Sequence, residues 1–118
     1  MAQILIVEDA DDLRDILSEW LFEAGFDAVA VSNANEAKQL LARHADGCLV
    51  LLDLSLPDER GEAVLDWIRA HPRHRRDPII VVTATGIRHV HGSNAIFAKP
   101  LNLDALLATI RHHIAKPN

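Results

Sequence analysis

Three short, unbroken apolar runs set the tightest limit on the fold: Ile4-Leu5-Ile6-Val7, Cys48-Leu49-Val50-Leu51-Leu52 and Ile79-Ile80-Val81-Val82. Each is continuous rather than alternating and leans on branched residues, the pattern of strands covered on both faces in a parallel sheet. Two weaker runs, Ala28-Val29-Ala30-Val31 and Ala95-Ile96-Phe97-Ala98, are compatible with further strands. Helical periodicity falls between them. Leu13, Ile16, Leu17, Trp20, Leu21 and Ala24 share one helical face, with Gly25 as a natural stop. Asn33 and Glu36 read as a capping box for a helix through Ala37, Leu40 and Leu41. Val64, Leu65, Trp67 and Ile68 mark a third helix closed by Pro72. Leu103, Leu106, Leu107, Ile110 and Ile114 mark the last, starting near Leu101 or Asn102. Trp20 and Trp67 are expected in the core or at its edge. Strands alternating with helices predict an α/β fold with right-handed crossovers and helices on both faces of the sheet.

The chain of 118 residues is read as one domain, residues 1–118, with enough length for a real core. A net charge of −5 argues against general binding to nucleic acid or anionic membranes, since either needs a basic face. Cys48 is the single cysteine, so no disulfide framework exists, and its apolar run predicts a small buried hydrophobe. No stretch has the length of a membrane span, and Met1 leads directly into a strand pattern without signal-peptide features. The expected location is the cytoplasm.

In sheets of this kind ligands gather outside the carboxyl ends of the strands. Glu8-Asp9 follow the first run, Asp53 the third strand, Thr83-Ala84 the fourth and Lys99-Pro100 the fifth. Three carboxylates, one hydroxyl and one ammonium are therefore expected around one pocket. Crowded carboxylates repel unless a cation joins them, and oxygen ligands with room for water suit Mg2+, or Mn2+ in its place. Lys99 and Thr83 add little to holding a bare metal, but they suit an incoming anion. Metal, carboxylate nucleophile and anion clamp together describe phosphorylation of Asp53. A lone acid at a strand end is usually a helix cap or a solvated loop residue, and Asp11 or Asp12 is expected to be such a cap. Four matching strand ends are not explained that way.

At these residues the chain resembles the receiver domain of two-component response regulators. The markers are Ile4-Leu5-Ile6-Val7-Glu8-Asp9, Leu51-Leu52-Asp53-Leu54-Ser55-Leu56-Pro57 followed by Gly61, Val82-Thr83-Ala84, and Lys99-Pro100. Asp53 follows Asp9 by 44 residues and Thr83 follows Asp53 by 30, spacings similar to the family's. The resemblance implies a flavodoxin-like, doubly wound five-stranded sheet of order 2-1-3-4-5. It implies phosphorylation of Asp53 by a sensor histidine kinase or a histidine phosphotransfer protein. Asp9 and Asp53 would ligate the metal directly, Glu8 through water and Ser55 through its backbone carbonyl. Thr83, the Ala84 amide and Lys99 would hold the phosphoryl oxygens, and the Lys99-Pro100 bond would be cis. Ser55 and Thr85 would tune the lifetime of the phosphate.

The chain also departs from the family. Lys99 follows Thr83 by 16 residues, about five or six fewer than is usual there, a loss of more than one helical turn. Gly86 and Gly92 bracket only five residues, too few for a stable helix. The fourth helix of the family is therefore expected to be shortened or missing. Ile96 stands at the aromatic switch position, and alternation places Phe97 on the opposite face. Among the seven histidines no pair has the helical spacing of a zinc signature, so all are expected at the surface. The run Arg73-His74-Arg75-Arg76 is expected to be a solvated loop.

The leading functional expectation is a stand-alone receiver, a monomer or weak dimer with no direct nucleic-acid or membrane contact, acting as a signalling module or a phosphate shuttle or sink. A receiver excised from a longer regulator with a DNA-binding output domain is the alternative, with Pro117-Asn118 as the start of a linker. A phosphatase working through an aspartyl phosphate is weaker still, because Leu54 and Ser55 leave no second acid close behind Asp53. The chain is thus expected to be a phosphoacceptor rather than an enzyme.

Overall fold

The computed structural model describes residues 3–84 and 89–114. The strands are β1 (Ile4–Val7), β2 (Ala28–Val31), β3 (Leu49–Asp53), β4 (Ile79–Thr83) and β5 (Ala95–Ala98), all parallel, in the order β2-β1-β3-β4-β5. The helices are α1 (Asp11–Glu23), α2 (Ala34–Arg43), α3 (Gly61–Ala70) and α4 (Leu103–His113). Strand order and helix count match the doubly wound expectation.

The continuous apolar runs are explained by two cores. Leu5, Val7, Val50, Leu52, Ile79 and Val81 face α2 and α3, joining Ala37, Leu41, Leu65 and Ile68. Their alternates Ile4, Ile6, Leu49, Leu51 and Ile80 join Leu17, Leu21, Leu106 and Ile110 under α1 and α4. Each central strand buries both faces, so polar alternation would have been costly there. Ile96 packs on the first cluster and Phe97 on the second, the opposite faces that alternation predicts. Trp67 and Trp20 lie partly buried at the margins of these same two clusters, and Cys48 is buried.

The local signals hold with one exception. Gly25 takes a left-handed φ of 93° just past the α1 C-cap Ala24, where a side chain would be strained. Asn33 Oδ1 accepts from the Glu36 amide at 2.8 Å, and Glu36 Oε1 returns to the Ser32 amide, so the capping box reaches back one residue further than expected. Asn102 caps α4 through the Ala105 amide. The expectation of an Asp11 or Asp12 cap fails. The N-cap of α1 is Ala10, and both aspartates lie in the first turn, where they face the positive helix end.

Between β4 and β5 there is no helix among the described residues; residues 85–88, including Thr85 and Gly86, lie outside them, as do Met1, Ala2 and residues 115–118. Val90 is buried in the same core cluster as Leu65, Ile68 and Val81, on the α2–α3 side of the sheet. Arg69 fastens the end of this connector. Its guanidinium donates to Gly92 O at 2.7 and 2.9 Å, to Asn94 Oδ1, and to the carbonyls of Arg75 and Asp77. Burial pulls this guanidinium below its usual value, against the pull of Asp77.

The surface expectation for the histidines is wrong at His74, which is fully buried. Its Nε2 donates to the carbonyls of Leu41 and His44, each at 2.8 Å, while Nδ1 lies 2.8 Å from Asp77 Oδ2. The residue closes the C-terminal end of α2, aided by Arg73, which donates to Ala42 O. No described helix is long and apolar enough to cross a membrane.

Candidate functional site

Strand register does most of the assembly. Val7 pairs with Leu52, so the next residues, Glu8 and Asp53, emerge side by side at the carboxyl edge. Asp53 is the last residue of β3, paired with Val82, rather than the first residue beyond it. Thr83 ends β4 opposite Ala98, and Lys99 follows, its amide donating to Thr83 O. Because adjacent strands are about 4.8 Å apart, neighbours in this row come within reach of one small ligand.

Oxygens of Glu8, Asp9 and Asp53 lie within 4.8 Å of one another. Glu8, Asp53 and Thr83 are nearly inaccessible, at 2%, 4% and 4%, while Asp9 is exposed. Lys99 Nζ sits 3.1 Å from both Glu8 Oε1 and Asp53 Oδ2. Asp53 Oδ1 accepts from the Ser55 amide at 2.9 Å, and Glu8 Oε2 from the Ala10 amide at 3.0 Å. The two buried acids are thus oriented on one side by backbone and on the other by a shared ammonium. Ala84 follows Thr83 at the rim, exposed. The Lys99-Pro100 peptide is cis, as the resemblance implies.

Burial pushes the Glu8 carboxyl above its ordinary value, and the Asp53 charge adds to the push; the Ala10 amide and Lys99 oppose it. Burial pulls the Lys99 ammonium down, but its bonds to Glu8 and Asp53 outweigh that and hold it above its usual value. The chemistry of the donor set suits a hard divalent cation: three carboxylates, no thiolate or imidazole, and one face open at Asp9. Among the described residues Lys99 is the cation bonded to these carboxylates, one positive charge against three acids, so a divalent cation would complete the local balance.

Several supporting residues escaped the sequence reading. Arg14, from the second turn of α1, donates to the carbonyls of Glu8 and Asp9 and to Asp11 Oδ1, bracing the turn that carries the acid pair. A lone cation among acids was the signal for it. Gly61 was noted only as a motif marker. A Cβ there would stand 2.5 Å from Leu54 Cα and 2.7 Å from Asp53 O, so α3 starts against the backbone of the site itself. Asp58 accepts from the Ala34 and Asn35 amides at the start of α2, contacts over 24 and 23 residues with no local signature.

The chain matches the family model of the response regulator receiver domain over residues 4–111. It is 35% identical over 114 residues to the transcriptional regulatory protein GltR of Pseudomonas aeruginosa, covering 92% of this chain and 47% of that one. The chain therefore spans about half the length of that curated relative. It is 26% identical to the polar-differentiation response regulator DivK of Brucella anthropi, covering 94% of each. Among solved structures, the response regulator TrrA of Thermotoga maritima, in complex with Mg2+ and BeF, superposes with a TM-score of 0.84 at 26% identity, covering 97% of this chain and all of that one. A doubly wound sheet of order 2-1-3-4-5, an acidic cluster at its carboxyl edge and a family match over nearly the whole chain place this protein in the response regulator receiver domain family.

Proposed function

We propose that Asp53 is the phosphoacceptor of a two-component phosphorelay, phosphorylated by a sensor histidine kinase or a histidine phosphotransfer protein. The observation that carries this reading is the convergence of Glu8, Asp9 and Asp53 within 4.8 Å, with Lys99 Nζ bridging Glu8 and Asp53 at 3.1 Å each. In the transfer an Asp53 oxygen forms a P–O bond as the P–N bond of the donor phosphohistidine breaks, and the imidazole leaves with the bonding pair. Such a reaction depends on alignment and neutralisation of charge more than on covalent help from the protein.

Asp9, Asp53 and the Ser55 carbonyl would hold Mg2+, with Glu8 acting through water. When bound, the cation would neutralise charge on the phosphoryl oxygens. The chain's own groups do the rest. The Ser55 amide keeps the Asp53 carboxylate aimed, and Lys99, held within reach by both acids, transfers to the incoming phosphoryl oxygens along with the Thr83 hydroxyl and the Ala84 amide. The phosphorylated residue brings about −1.5 to −2 charges, enough to pull Thr83 and Lys99 inward.

We read the chain as acting without an output domain, as a signalling module or a phosphate shuttle or sink, and the match to DivK over 94% of both chains supports this. The sink is favoured by the missing helix between β4 and β5 among the described residues, since the family signals through that region. A receiver ahead of a DNA-binding output domain is the second reading, favoured by GltR, of which this chain spans 47%. Intact mass of the protein isolated from its own cells separates the two. The chemical test is incubation with a small acyl phosphate and Mg2+, read by intact mass. One added phosphoryl group on the wild type and none on Asp53→Asn is expected. No addition to the wild type, or the same addition to Asp53→Asn, overturns the reading.

A further inference from the structure

We propose that Asp58 is a positioning residue for phosphotransfer, holding the loop that orients Asp53 by gripping the first turn of α2. The inference rests on the reading of Asp53 as phosphoacceptor and adds a residue that the strand-end constellation does not contain.

Residues 54–60 form the loop between β3 and α3, and they are fixed at two ends. At the near end the Ser55 amide donates to Asp53 Oδ1 at 2.9 Å, Ser55 pairs with Arg60 in an antiparallel bridge, and the Gly61 amide donates to Leu54 O at 3.0 Å. At the far end Asp58 uses both carboxylate oxygens, Oδ1 on the Ala34 amide and Oδ2 on the Asn35 amide, each at 2.9 Å. Lys38 Nζ and Glu59 Oε1, 2.5 Å apart, add a second tie between the same two segments.

The direction of support follows from burial. Ala34, Ala37 and Leu41 are wholly buried and fix α2 to the core. Its own cap, Asn33, serves the Glu36 amide through Oδ1 and the Ala37 amide through its carbonyl. In the loop Leu54 and Leu56 pack on the same cluster, while Ser55, Pro57, Asp58 and Arg60 are exposed, so little packing holds the segment around Asp58. Asp58 therefore ties the more exposed segment to the more buried one. The two amides it accepts hold its carboxyl below its ordinary value, so it stays ionised through the neutral range. Two residues separate this anchor from Ser55, which contacts the Asp53 carboxylate directly.

Groups that orient a metal ligand directly are typically worth 10–100-fold in affinity. Asp58 acts one link further out, and a loss of about three- to tenfold is expected. The test compares wild type, Asp58→Asn and Asp58→Ala in three measurements: Mg2+ binding by calorimetry, the rate of phosphorylation by an acyl phosphate across Mg2+ concentrations, and exchange of the Ser55 amide by NMR. A positioning role predicts weaker Mg2+ binding and slower transfer at saturating Mg2+ in Asp58→Ala. It also predicts faster Ser55 exchange, with Asp58→Asn, which keeps one acceptor oxygen, in between. A role confined to capping α2 lowers only the urea midpoint, and wild-type Mg2+ affinity and rate in a folded Asp58→Ala overturn the proposal. If Asp58→Ala does not fold, the same comparison of Asp58→Asn with wild type decides. Absence of Mg2+ binding and phosphorylation in the wild type instead overturns the reading of Asp53.

Discussion

His74→Ala is expected to be among the most damaging single substitutions in this domain, although it lies far from the phosphorylation chemistry. The side chain is fully buried and makes three contacts at 2.8 Å, to Asp77 Oδ2 and to the carbonyls of Leu41 and His44. Truncation leaves the Asp77 carboxylate, 7% exposed, without the ring that faces it, and two carbonyls at the end of α2 without their donor. Leaving a buried polar group without its partner costs about 1–3 kcal/mol, and with the two orphaned carbonyls and the cavity the sum reaches about 3–5 kcal/mol. Against a total stability of about 5–15 kcal/mol, that is a third or more of what holds a domain together. Urea unfolding followed by tryptophan fluorescence should show the midpoint falling with the slope unchanged, and Tm dropping by about 10–20 °C. Adding Asp77→Ala removes the stranded carboxyl group and should recover part of the loss, giving a favourable coupling in the double-mutant cycle. A loss below about 1 kcal/mol, or strictly additive losses, would refute the reasoning.

Glu8→Gln should raise the urea midpoint of Mg2+-free protein at neutral pH while weakening Mg2+ binding. Burial raises the Glu8 carboxyl, so its stabilising contribution is complete below its ordinary 4.5 and is lost as pH rises through the raised value. A lower midpoint for the variant at pH 7 would contradict this. Burial also pushes the Cys48 thiol up from 9.0 to about 12, so its thiolate is about a thousandfold scarcer than in the unfolded chain. Thiol reagents at about pH 8 should label Cys48 only after denaturation, and equal rates in the folded and unfolded protein would refute that. Gly61→Ala drives a methyl onto Leu54 Cα and Asp53 O, both backbone atoms, at 2.5 and 2.7 Å. A cost of about 1–3 kcal/mol is expected together with slower phosphorylation, and a neutral result in both assays would exclude the clash.

The two-faced burial of the central strands was legible because it leaves an unbroken apolar run, as in Ile79-Ile80-Val81-Val82. Once those strands are placed, register delivers Glu8, Asp53, Thr83 and Lys99 to one edge without further information. Gly25 and Asn33 were legible for a different reason, since their signals lie within a few residues of the conformations they fix. Contacts that join distant segments were not. Asp58 reads like any loop acid until α2 is packed beside it. His74 sits in a run of cations and reads as solvated, because nothing local reveals the two carbonyls and the carboxylate that make its burial tolerable. Arg69 is equally silent in sequence, its partners being mostly backbone carbonyls up to 23 residues away.

The two ends of α2 are each closed by a charged group from a segment bordering α3: Asp58 at the amides, His74 with Arg73 at the carbonyls. An opening that frays α2 from either end must therefore also release a loop attached to α3, so the two helices are expected to open as one cooperative unit in native-state hydrogen exchange. Slow amides such as those of Leu41 and Ile68 should share one opening free energy, while the exposed face of β2 and the end of α1 exchange through smaller fluctuations. The layer beneath the loop of Asp53 is thus tied at both ends of α2, and a fastening at either end bears on the whole layer.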